Sequence, residues 1–301
     1  MTVKLSVVIN TLNEEKNIER AIKSVSFADE ILVCDMNSDD NTAVIAKKLG
    51  AKIIFHRRVG YVEPARDFAI SKAEGEWILI IDADEEIPDS LGDKIKELIY
   101  KESVLTHVEI PRKNIIFGKT LKASMWWPDY HTRLFKKGFV DWGNKIHSKP
   151  KTQGQGLTLE AQERWAITHY HYSSISQFLE RMDRYSTIQA RELRDTGYEF
   201  DYRDLVKKPL NEFLSRFFAH RGFDDGLHGL ALGLLQAFSF LVVYLKVWEM
   251  RGFSAKEVKF EEINEVFKGS GEELSYWMKY GNLSRNPLKR TMQKIKNRFS
   301  I

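Results

Sequence analysis

The chain has 301 residues, of which 43% are hydrophobic and 29% are charged, a composition that excludes a disordered or fibrous protein. Its single cysteine, Cys34, excludes a disulfide framework or a zinc site of several thiolates, so we expect a reducing, cytoplasmic setting and an inert core thiol. The net charge of +4 is small beside 46 basic and 42 acidic side chains. The first ten residues lack the features of a secretory signal, and we expect them to be part of the fold.

Short runs rich in valine and isoleucine alternate with segments of helical spacing in the first hundred residues. The runs predict strands at Leu5–Ile9, Ile31–Cys34, Ile53–Phe55 and Trp77–Ile81. Helical spacing follows them at residues 18–25, 44–49, 68–72 and 95–99. This alternation predicts an α/β fold with a mostly parallel sheet and helices on both faces.

An acidic cluster follows the fourth predicted strand, where Asp82, Asp84 and Glu85 come directly after the run WILII. Ligands bind at the carboxyl ends of strands in open α/β sheets. Because residues two apart on an extended segment point the same way, Asp82 and Asp84 are predicted to approach one hard cation, Mg²⁺ or Mn²⁺. A solvated acidic turn is the alternative interpretation.

Polar residues also follow the first two predicted strands. They are Thr11, Asn13 and Glu14 after the first strand, and the segment from Asp35 to Thr42, including Asp40, after the second. Helix capping needs one such residue in each cluster, whereas the second cluster supplies five. Three successive strands are therefore predicted to deliver polar clusters to one edge of the sheet.

The first ninety residues resemble the family 2 glycosyltransferases, which are inverting enzymes with the GT-A fold. The resemblance is carried by SVVINTLNEEKNIERAIKSV, by the D-x-x-S-x-D-x-T pattern that begins at Asp35, by ARDFAISKAEGEW and by the DADE that begins at Asp82. It implies that Thr11, Asn13 and Glu14 line a nucleoside pocket and that Asp35 accepts hydrogen bonds from the base or ribose of the donor. Asp40 is a further candidate in the same pattern.

The resemblance also implies how the donor diphosphate is held. Arg66 would contact the diphosphate, Asp84 would ligate the metal, and Asp82 would contact the ribose or a metal-bound water. The metal would neutralise the charge that develops on the departing nucleoside diphosphate, for which uridine is the commonest nucleoside in the family. His169 resembles a third metal ligand and suits Mn²⁺ better than Mg²⁺, with a structural histidine as the alternative.

Beyond residue 100 the segments PRKNIIFGK, MWWPDYHTRLFKKG, IHSKP and THYHY resemble the branch that includes lipopolysaccharide core glucosyltransferases. An inverting transfer needs a general base near the acceptor hydroxyl. Asp129, in a P-D-x-x-x-R arrangement with Arg133, is the candidate, and a turn residue is the alternative. In related sequences a glutamate follows the counterpart of His147, whereas this chain has Ser148 there. The base therefore stays open between Asp129 and a residue near His147, and His147 itself ranks below His169 as a metal ligand.

The remaining sequence predicts a helical C-terminal region, residues 173–301, after a GT-A catalytic domain of residues 1–172. The aromatic, leucine-rich segment 213–248 suits a membrane surface. Within it, residues 226–245 contain about nineteen mostly apolar residues, which nearly meets the length of about 20 needed to cross a bilayer. A spanning helix, a hairpin or interfacial insertion, and an ordinary buried helix all stay open.

The last segment of the chain carries six basic residues and no acidic one, namely Arg285, Lys289, Arg290, Lys294, Lys296 and Arg298. Leu288, Met292, Ile295 and Phe299 recur at helical spacing among them. Residues 287–301 are therefore predicted to form a basic amphipathic helix that binds an anionic membrane surface.

The resemblance, together with these features, implies an inverting transfer of a hexose from a UDP-linked donor to a membrane glycolipid such as the lipopolysaccharide core. The protein would lie at the cytoplasmic face of the inner membrane, peripherally or as a monotopic protein. One alternative is the same chemistry on a polyprenyl phosphate or a soluble glycan. The other is a nucleotide- or RNA-binding protein without turnover, although no RNA-recognition motif is present and no nucleic-acid partner is expected. The identity of the sugar depends on pocket contacts that the sequence does not reveal.

Overall fold

The computed structural model describes residues 4–58, 63–101, 104–142 and 150–280. The chain divides into two compact units, one of residues 1–115 and 127–171 and one of residues 116–126 and 172–301. The sequence predicted one boundary, after residue 172. In the structure the second unit also contains residues 116–126, which the prediction assigned to the catalytic domain. In that segment Ile116 and Leu121 are buried against Leu232.

The strands are β1 (Leu5–Thr11), β2 (Glu30–Asp35), β3 (Lys52–Phe55), β4 (Trp77–Asp82), β5 (Glu85–Glu86), β6 (Leu105–Ile116), β7 (Lys119–Thr120), β8 (Asp129–Lys136), β9 (Val140–Asp141), β10 (Lys151–Thr152), β11 (Gln155–Thr158) and β12 (Ile167–Tyr172). The α-helices are α1 (Ile18–Ser24), α2 (Thr42–Lys48), α3 (Glu63–Lys72), α4 (Asp89–Lys101), α5 (Ile175–Asp195), α6 (Asp204–Phe213), α7 (Leu227–Met250) and α8 (Phe260–Tyr280). The four predicted N-terminal strands and the four predicted helices are all present.

The main sheet has the order β3-β2-β1-β4-β8-β6-β12-β5. Strands β1 to β4 are parallel, and β8 pairs antiparallel with both β4 and β6. Apolar side chains of β1 pack on both faces of the sheet, since Val7 and Ile9 lie in one buried cluster and Val8 lies in another. Burial on both faces explains the continuous apolar runs. The predicted GT-A architecture is confirmed.

In the second unit, α7 is one continuous helix of 24 residues, so the hairpin alternative for this segment is wrong. Its buried side includes Leu232 and Val247, and its exposed side includes Leu230, Leu234 and Phe238. Among the described residues it is the one helix with the length and apolar composition to cross a membrane, and 28% of its 18-residue apolar window is buried. The predicted basic helix at 287–301 lies outside the described residues.

Candidate active site

The carboxyl ends of β1, β2 and β4 meet at one edge of the main sheet. Thr11, the last residue of β1, lies beside Asp35, the last residue of β2. On the other side of β1, Asn10 lies beside Asp82, the last residue of β4. The parallel register therefore brings three of the predicted donor-side residues to the same edge.

The loops that follow β1 and β2 are tied together by hydrogen bonds. The backbone N–H of Asn13 donates to Ser38 Oγ at 2.8 Å, and the side-chain Oδ1 of Asn13 accepts from the backbone N–H of Asp39 at 2.8 Å. Asp35 Oδ1 accepts from the Ser38 amide at 2.8 Å, which fixes the start of the second loop. Asn13 has a backbone φ of 56°, a left-handed conformation that asparagine tolerates. The side chain of Asn13 thus shapes the edge of the site by bridging its two loops.

Asp40 and Glu14 belong to the same connection between the loops. Asp40 accepts hydrogen bonds from the amides of Glu15 at 3.1 Å and Thr42 at 3.0 Å, and Thr42 is the first residue of α2. The Glu14 amide donates to the Thr42 hydroxyl at 2.8 Å. Burial opposes ionisation of Asp40, but hydrogen bonds from the Thr42 hydroxyl and from the backbone amides of Thr42 and Glu15 outweigh burial and lower the pKa of Asp40. Asp40 therefore accepts a hydrogen bond from the first residue of α2, whereas the N-cap position itself is Asn41, whose side chain makes no capping hydrogen bond.

Three buried polar groups near this edge lack hydrogen-bond partners among the described residues. They are both amide atoms of Asn10, the hydroxyl of Thr11 and the Nε of Arg66. An unsatisfied buried polar group costs about 1–3 kcal/mol, so such groups need an explanation. A bound polar ligand at this edge would satisfy them. Asn10 was not predicted from sequence, because it lies inside the apolar run that forms β1.

Asp82 is held by two arginines from different elements. Arg133 of β8 donates to its Oδ2 at 2.8 Å, and Arg66 of α3 approaches its Oδ1 at 3.4 Å. Burial would raise the pKa of Asp82, but the charges of Arg133 and Arg66 outweigh this effect and hold the pKa well below its usual range. Arg66 also lies over the Trp142 ring, with its guanidinium carbon 4.7 Å from the ring centroid. The carboxylate of Asp82 is therefore ionised and fixed in place.

Glu85 is fully buried and supports the same cluster of charges. Its Oε1 accepts from Arg133 at 2.7 Å and from Arg112 at 3.2 Å, and its Oε2 accepts from the Asp82 amide at 2.9 Å. A buried carboxylate is tolerated only when it is paired and hydrogen-bonded in this way. The sequence placed Glu85 in the acidic cluster without a role, and the structure shows that it braces Arg112 and Arg133.

Asp84 lies in the turn that residues 83 and 84 form between β4 and β5. The segment that carries Asp82 and Asp84 is therefore not extended, contrary to what the prediction assumed, and the approach of both carboxylates to one cation stays a prediction. Asp84 is buried, and its Oδ1 lies 3.6 Å from the Nε2 of His169 on β12. The cross-strand pair of His169 with Glu85 brings β12 to this turn.

His169 is buried and contacts three polar groups. Its Nδ1 donates to the Oδ1 of Asn114 at 2.6 Å, and its Nε2 lies 3.2 Å from the Nδ1 of His171. The third group is the carboxylate of Asp84 described above. Metal-ligating histidines usually donate the N–H of the non-ligating nitrogen to a carboxylate, a carbonyl or water, and the contact of His169 Nδ1 with the Asn114 carbonyl has this arrangement.

Asp129 is surrounded by hydrogen-bond donors from β6 and β8. Its Oδ2 accepts from Arg112 at 2.9 and 2.7 Å and from Asn114 at 3.1 Å. Its Oδ1 lies 3.0 Å from the Nε2 of His131. Burial would raise the pKa of Asp129, but its contacts with His131 and Arg112 hold the pKa well below its usual range. Arg112, Asn114 and His131 were not assigned roles from sequence, although polar residues alternating within two paired strands are a visible signal.

The sequence matches the family model "Glycosyl transferase family 2" over residues 6–149. An uncharacterised glycosyltransferase of Rickettsia typhi, RT0209, is 33% identical over 265 residues, which cover 84% of this chain and 88% of the relative. RC0292 of Rickettsia conorii, also an uncharacterised glycosyltransferase, is 30% identical over 268 residues, which cover 85% of this chain and 93% of RC0292. The chain belongs to glycosyltransferase family 2.

A more distant member of the glycosyltransferases is also similar. The lipopolysaccharide core biosynthesis glycosyltransferase LpsC of Rhizobium meliloti is 22% identical over 259 residues, which cover 84% of this chain and 94% of LpsC. Among solved structures, Staphylococcus aureus TarS in complex with UDP is 18% identical, covers 85% of this chain and 94% of that chain, and has a TM-score of 0.42.

Asp84 and His169 are the residues of this glycosyltransferase that could hold a divalent ion. Within the described ranges, no group of three or more His, Cys, Asp or Glu residues is close enough to hold a metal. Mg²⁺ takes one or two carboxylates and completes its shell with water and substrate phosphates. Two atoms 3.6 Å apart can both lie about 2.1 Å from one ion. The pair therefore fits an ion that binds together with a donor diphosphate.

Two groups of predicted residues lie near each other in the first unit. One contains Asp82 at the carboxyl end of β4, and the other contains Asp129 on β8. Arg133 joins them, because it contacts Asp82 directly and shares Glu85 with Arg112, which holds Asp129. His147 lies outside the described residues. Cys34 is buried, and burial raises the pKa of its thiol to about 12, so it is an inert core residue as predicted.

Proposed function

We propose that this protein is a metal-dependent, inverting glycosyltransferase that moves a hexose from a UDP-linked donor to a membrane glycolipid such as the lipopolysaccharide core. The observation that carries the proposal is the pairing of Asp84 with His169 at a strand edge where Asn10 and Thr11 have unsatisfied polar atoms. That edge offers a place for a divalent ion beside a place for a polar ligand. Membership of the family favours transfer over binding without turnover.

The donor would lie along the carboxyl ends of β1, β2 and β4. Thr11 and Asp35 would contact the nucleoside, with Asn13 and Glu14 shaping its pocket. The guanidinium of Arg66, held against Asp82 and Trp142, would stabilise the diphosphate by charge and hydrogen bonding. A metal held by Asp84 and His169 would supply charge neutralisation on the leaving diphosphate.

The acceptor hydroxyl would lose its proton to Asp129. The carboxylate is ionised because Arg112 and His131 hold its pKa low, so it is available as a hydrogen-bond acceptor at neutral pH. Its Oδ2 already accepts three hydrogen bonds, whereas Oδ1 contacts only His131 among the contacts above, so Oδ1 is the atom that would receive the proton. Arg112 would then stabilise the orientation of the carboxyl group during transfer.

Two observations support a glycolipid acceptor. The similarity to LpsC of Rhizobium meliloti, named for lipopolysaccharide core biosynthesis, favours an acceptor of that class. The exposed apolar side of α7, with Leu234 and Phe238 about half exposed, offers a surface that could enter the interfacial region of a membrane. We therefore propose a peripheral or monotopic location at the cytoplasmic face of the inner membrane.

The proposed function is tested with purified full-length protein, Mn²⁺ or Mg²⁺, and a panel of nucleotide sugars. Each donor is offered with three acceptors: lipopolysaccharide core in anionic vesicles, polyprenyl phosphate in the same vesicles, and soluble glycans. We expect transfer from a UDP-hexose to the core, with inverted configuration at the anomeric carbon by NMR of the product. Transfer only to polyprenyl phosphate or only to soluble glycans would replace the glycolipid acceptor, and retained configuration would contradict the inverting mechanism.

Substituting the exposed side of α7 should weaken binding to vesicles. Replacing Leu234 and Phe238 by Gln removes two apolar side chains whose full burial would contribute about 1.5–3 kcal/mol each. Both are about half exposed, so we expect vesicle binding to fall about tenfold or more in a co-sedimentation assay. High salt should not release the wild type completely, since burial of hydrocarbon is not screened.

The matched control is Phe55→Gln, which removes an aromatic side chain that is 60% exposed on β3 of the first unit. This variant should bind vesicles like the wild type. Equal binding by all three proteins, or no binding by the wild type at low salt, would argue against the membrane surface and favour a soluble acceptor.

A further inference from the structure

Asn114 lies between the candidate metal ligand and the candidate base, and its side chain is fully buried. Its Nδ2 donates to Asp129 Oδ2 at 3.1 Å, and its Oδ1 accepts from His169 Nδ1 at 2.6 Å. The amide therefore connects β8 to β12 through β6, the strand that lies between them. A buried amide bound at both ends holds its two neighbours in fixed orientations.

The direction of these hydrogen bonds follows from the chemistry of Asp129. Its pKa is held well below the usual range, so the carboxylate is ionised and can only accept hydrogen bonds. The NH₂ end of the Asn114 amide must therefore face Asp129, which turns the carbonyl end toward His169. A carbonyl oxygen can only accept, so the proton of this contact lies on His169 Nδ1.

A proton on Nδ1 determines whether the other ring nitrogen, Nε2, carries a proton. In its neutral form an imidazole carries one N–H, and in the form with that N–H on Nδ1 the Nε2 of His169 presents a lone pair. That lone pair faces Asp84 Oδ1 at 3.6 Å and His171 Nδ1 at 3.2 Å. His171 can donate to this lone pair, and a cation bound between Nε2 and Asp84 Oδ1 would take the place of that hydrogen bond, because Asp84 and His169 offer each other only lone pairs. Two facing acceptors are what a divalent cation binds.

We propose that Asn114 is a positioning residue, which fixes His169 as the tautomer able to bind a metal and links this ligand to Asp129. The inference rests on the proposed metal-dependent transfer. A residue that orients a ligating histidine in this way typically changes metal affinity by 10- to 100-fold. A merely structural role for Asn114 would leave both the tautomer and the metal affinity unchanged once the protein is folded.

The first test is Mn²⁺ binding, measured by electron paramagnetic resonance in the presence of UDP. Asn114→Ala removes the acceptor for His169 Nδ1 and should weaken Mn²⁺ binding by about 10- to 100-fold. Asn114→Asp places a carboxyl group beside the ionised Asp129, and because two neighbouring carboxylates cannot both ionise, the two share one proton. The other oxygen of the new group still accepts from His169, so the Mn²⁺ affinity should stay close to that of the wild type. Circular dichroism and thermal melting establish that each variant is folded. Unchanged affinity in a folded Asn114→Ala protein would overturn the proposal.

The second test needs no substitution of Asn114. Nitrogen-15 NMR of histidine-labelled, metal-free wild-type protein distinguishes protonated from unprotonated ring nitrogens, and His169→Gln identifies the signals of His169 among the eight histidines. We expect the neutral ring of His169 to show a protonated Nδ1 and an unprotonated Nε2. The opposite tautomer would overturn the proposal. A wild type that shows the expected tautomer but binds no Mn²⁺ with UDP would contradict the proposed metal dependence and leave the role of Asn114 in orienting His169 supported.

Discussion

Asp84→Ala is expected to abolish transfer, with a loss of at least about 1,000-fold in kcat. The substitution removes a charged ligand of the proposed metal, and removing charge stabilisation at the leaving group costs several kcal/mol in the transition state, each 1.36 kcal/mol being tenfold in rate. The fold should remain intact, because the contact between this turn and β12 uses the backbone carbonyl of Asp84, which accepts from the Tyr170 amide at 2.9 Å.

Activity is measured as UDP release and product formation over a range of Mn²⁺ and Mg²⁺ concentrations, with and without EDTA. The matched control is Asp93→Ala, which removes an aspartate with a 78% exposed side chain on α4 and should be fully active. Thermal melting compares the stability of both variants with that of the wild type. Full activity of Asp84→Ala, or undiminished wild-type activity in excess EDTA, would contradict the metal assignment.

The sheet could be predicted from sequence because its signal is local. Leu5–Thr11 and Trp77–Asp82 are apolar runs bounded by polar residues, and fully buried parallel strands read in this way. Once two such strands are parallel and adjacent, their carboxyl ends must meet. The proximity of Thr11, Asp35 and Asp82 therefore followed from the alternation of strands and helices alone.

The geometry of the acidic cluster could not be predicted, because it depends on a turn and on distant strands. Asp82 and Asp84 are two residues apart, yet the turn at 83–84 sends one to Arg133 and the other to His169. Arg133 is 51 residues from its partner Asp82. A pattern of residues within a short stretch of sequence cannot predict this contact. It arises because β4 and β8 pair antiparallel.

The same limit applies to Asn114, which stood unassigned inside the segment PRKNIIFGK. It is 55 residues from His169 and 15 residues from Asp129, and a buried asparagine becomes informative only when its partners are known. For the apolar helix α7, the length and composition could be predicted from sequence, but the elements that it packs against could not. Only the structure shows that one of its sides packs on α5 and α6 while Leu234 and Phe238 face outward.

Asp129→Asn is expected to lower turnover by about 10²- to 10⁴-fold, the usual loss when a general base is removed. The amide has nearly the shape of the carboxylate, and Arg112 keeps its contact with Glu85, so the cluster should stay assembled. UDP binding, measured by calorimetry, should therefore be close to that of the wild type. Asp141→Asn, an exposed aspartate on β9, is the matched control and should turn over normally.

The pH profile provides an independent check on the same residue. Because Arg112 and His131 hold the pKa of Asp129 well below its usual range, the carboxylate stays ionised when acidity rises toward the ordinary aspartate pKa of about 3.9. Wild-type turnover should then show no acidic limb from Asp129 between about pH 5 and pH 8, and any limb in that window must come from another group. If Asp129→Asn turns over like the wild type while His147→Ala is inactive, the base lies near His147 instead.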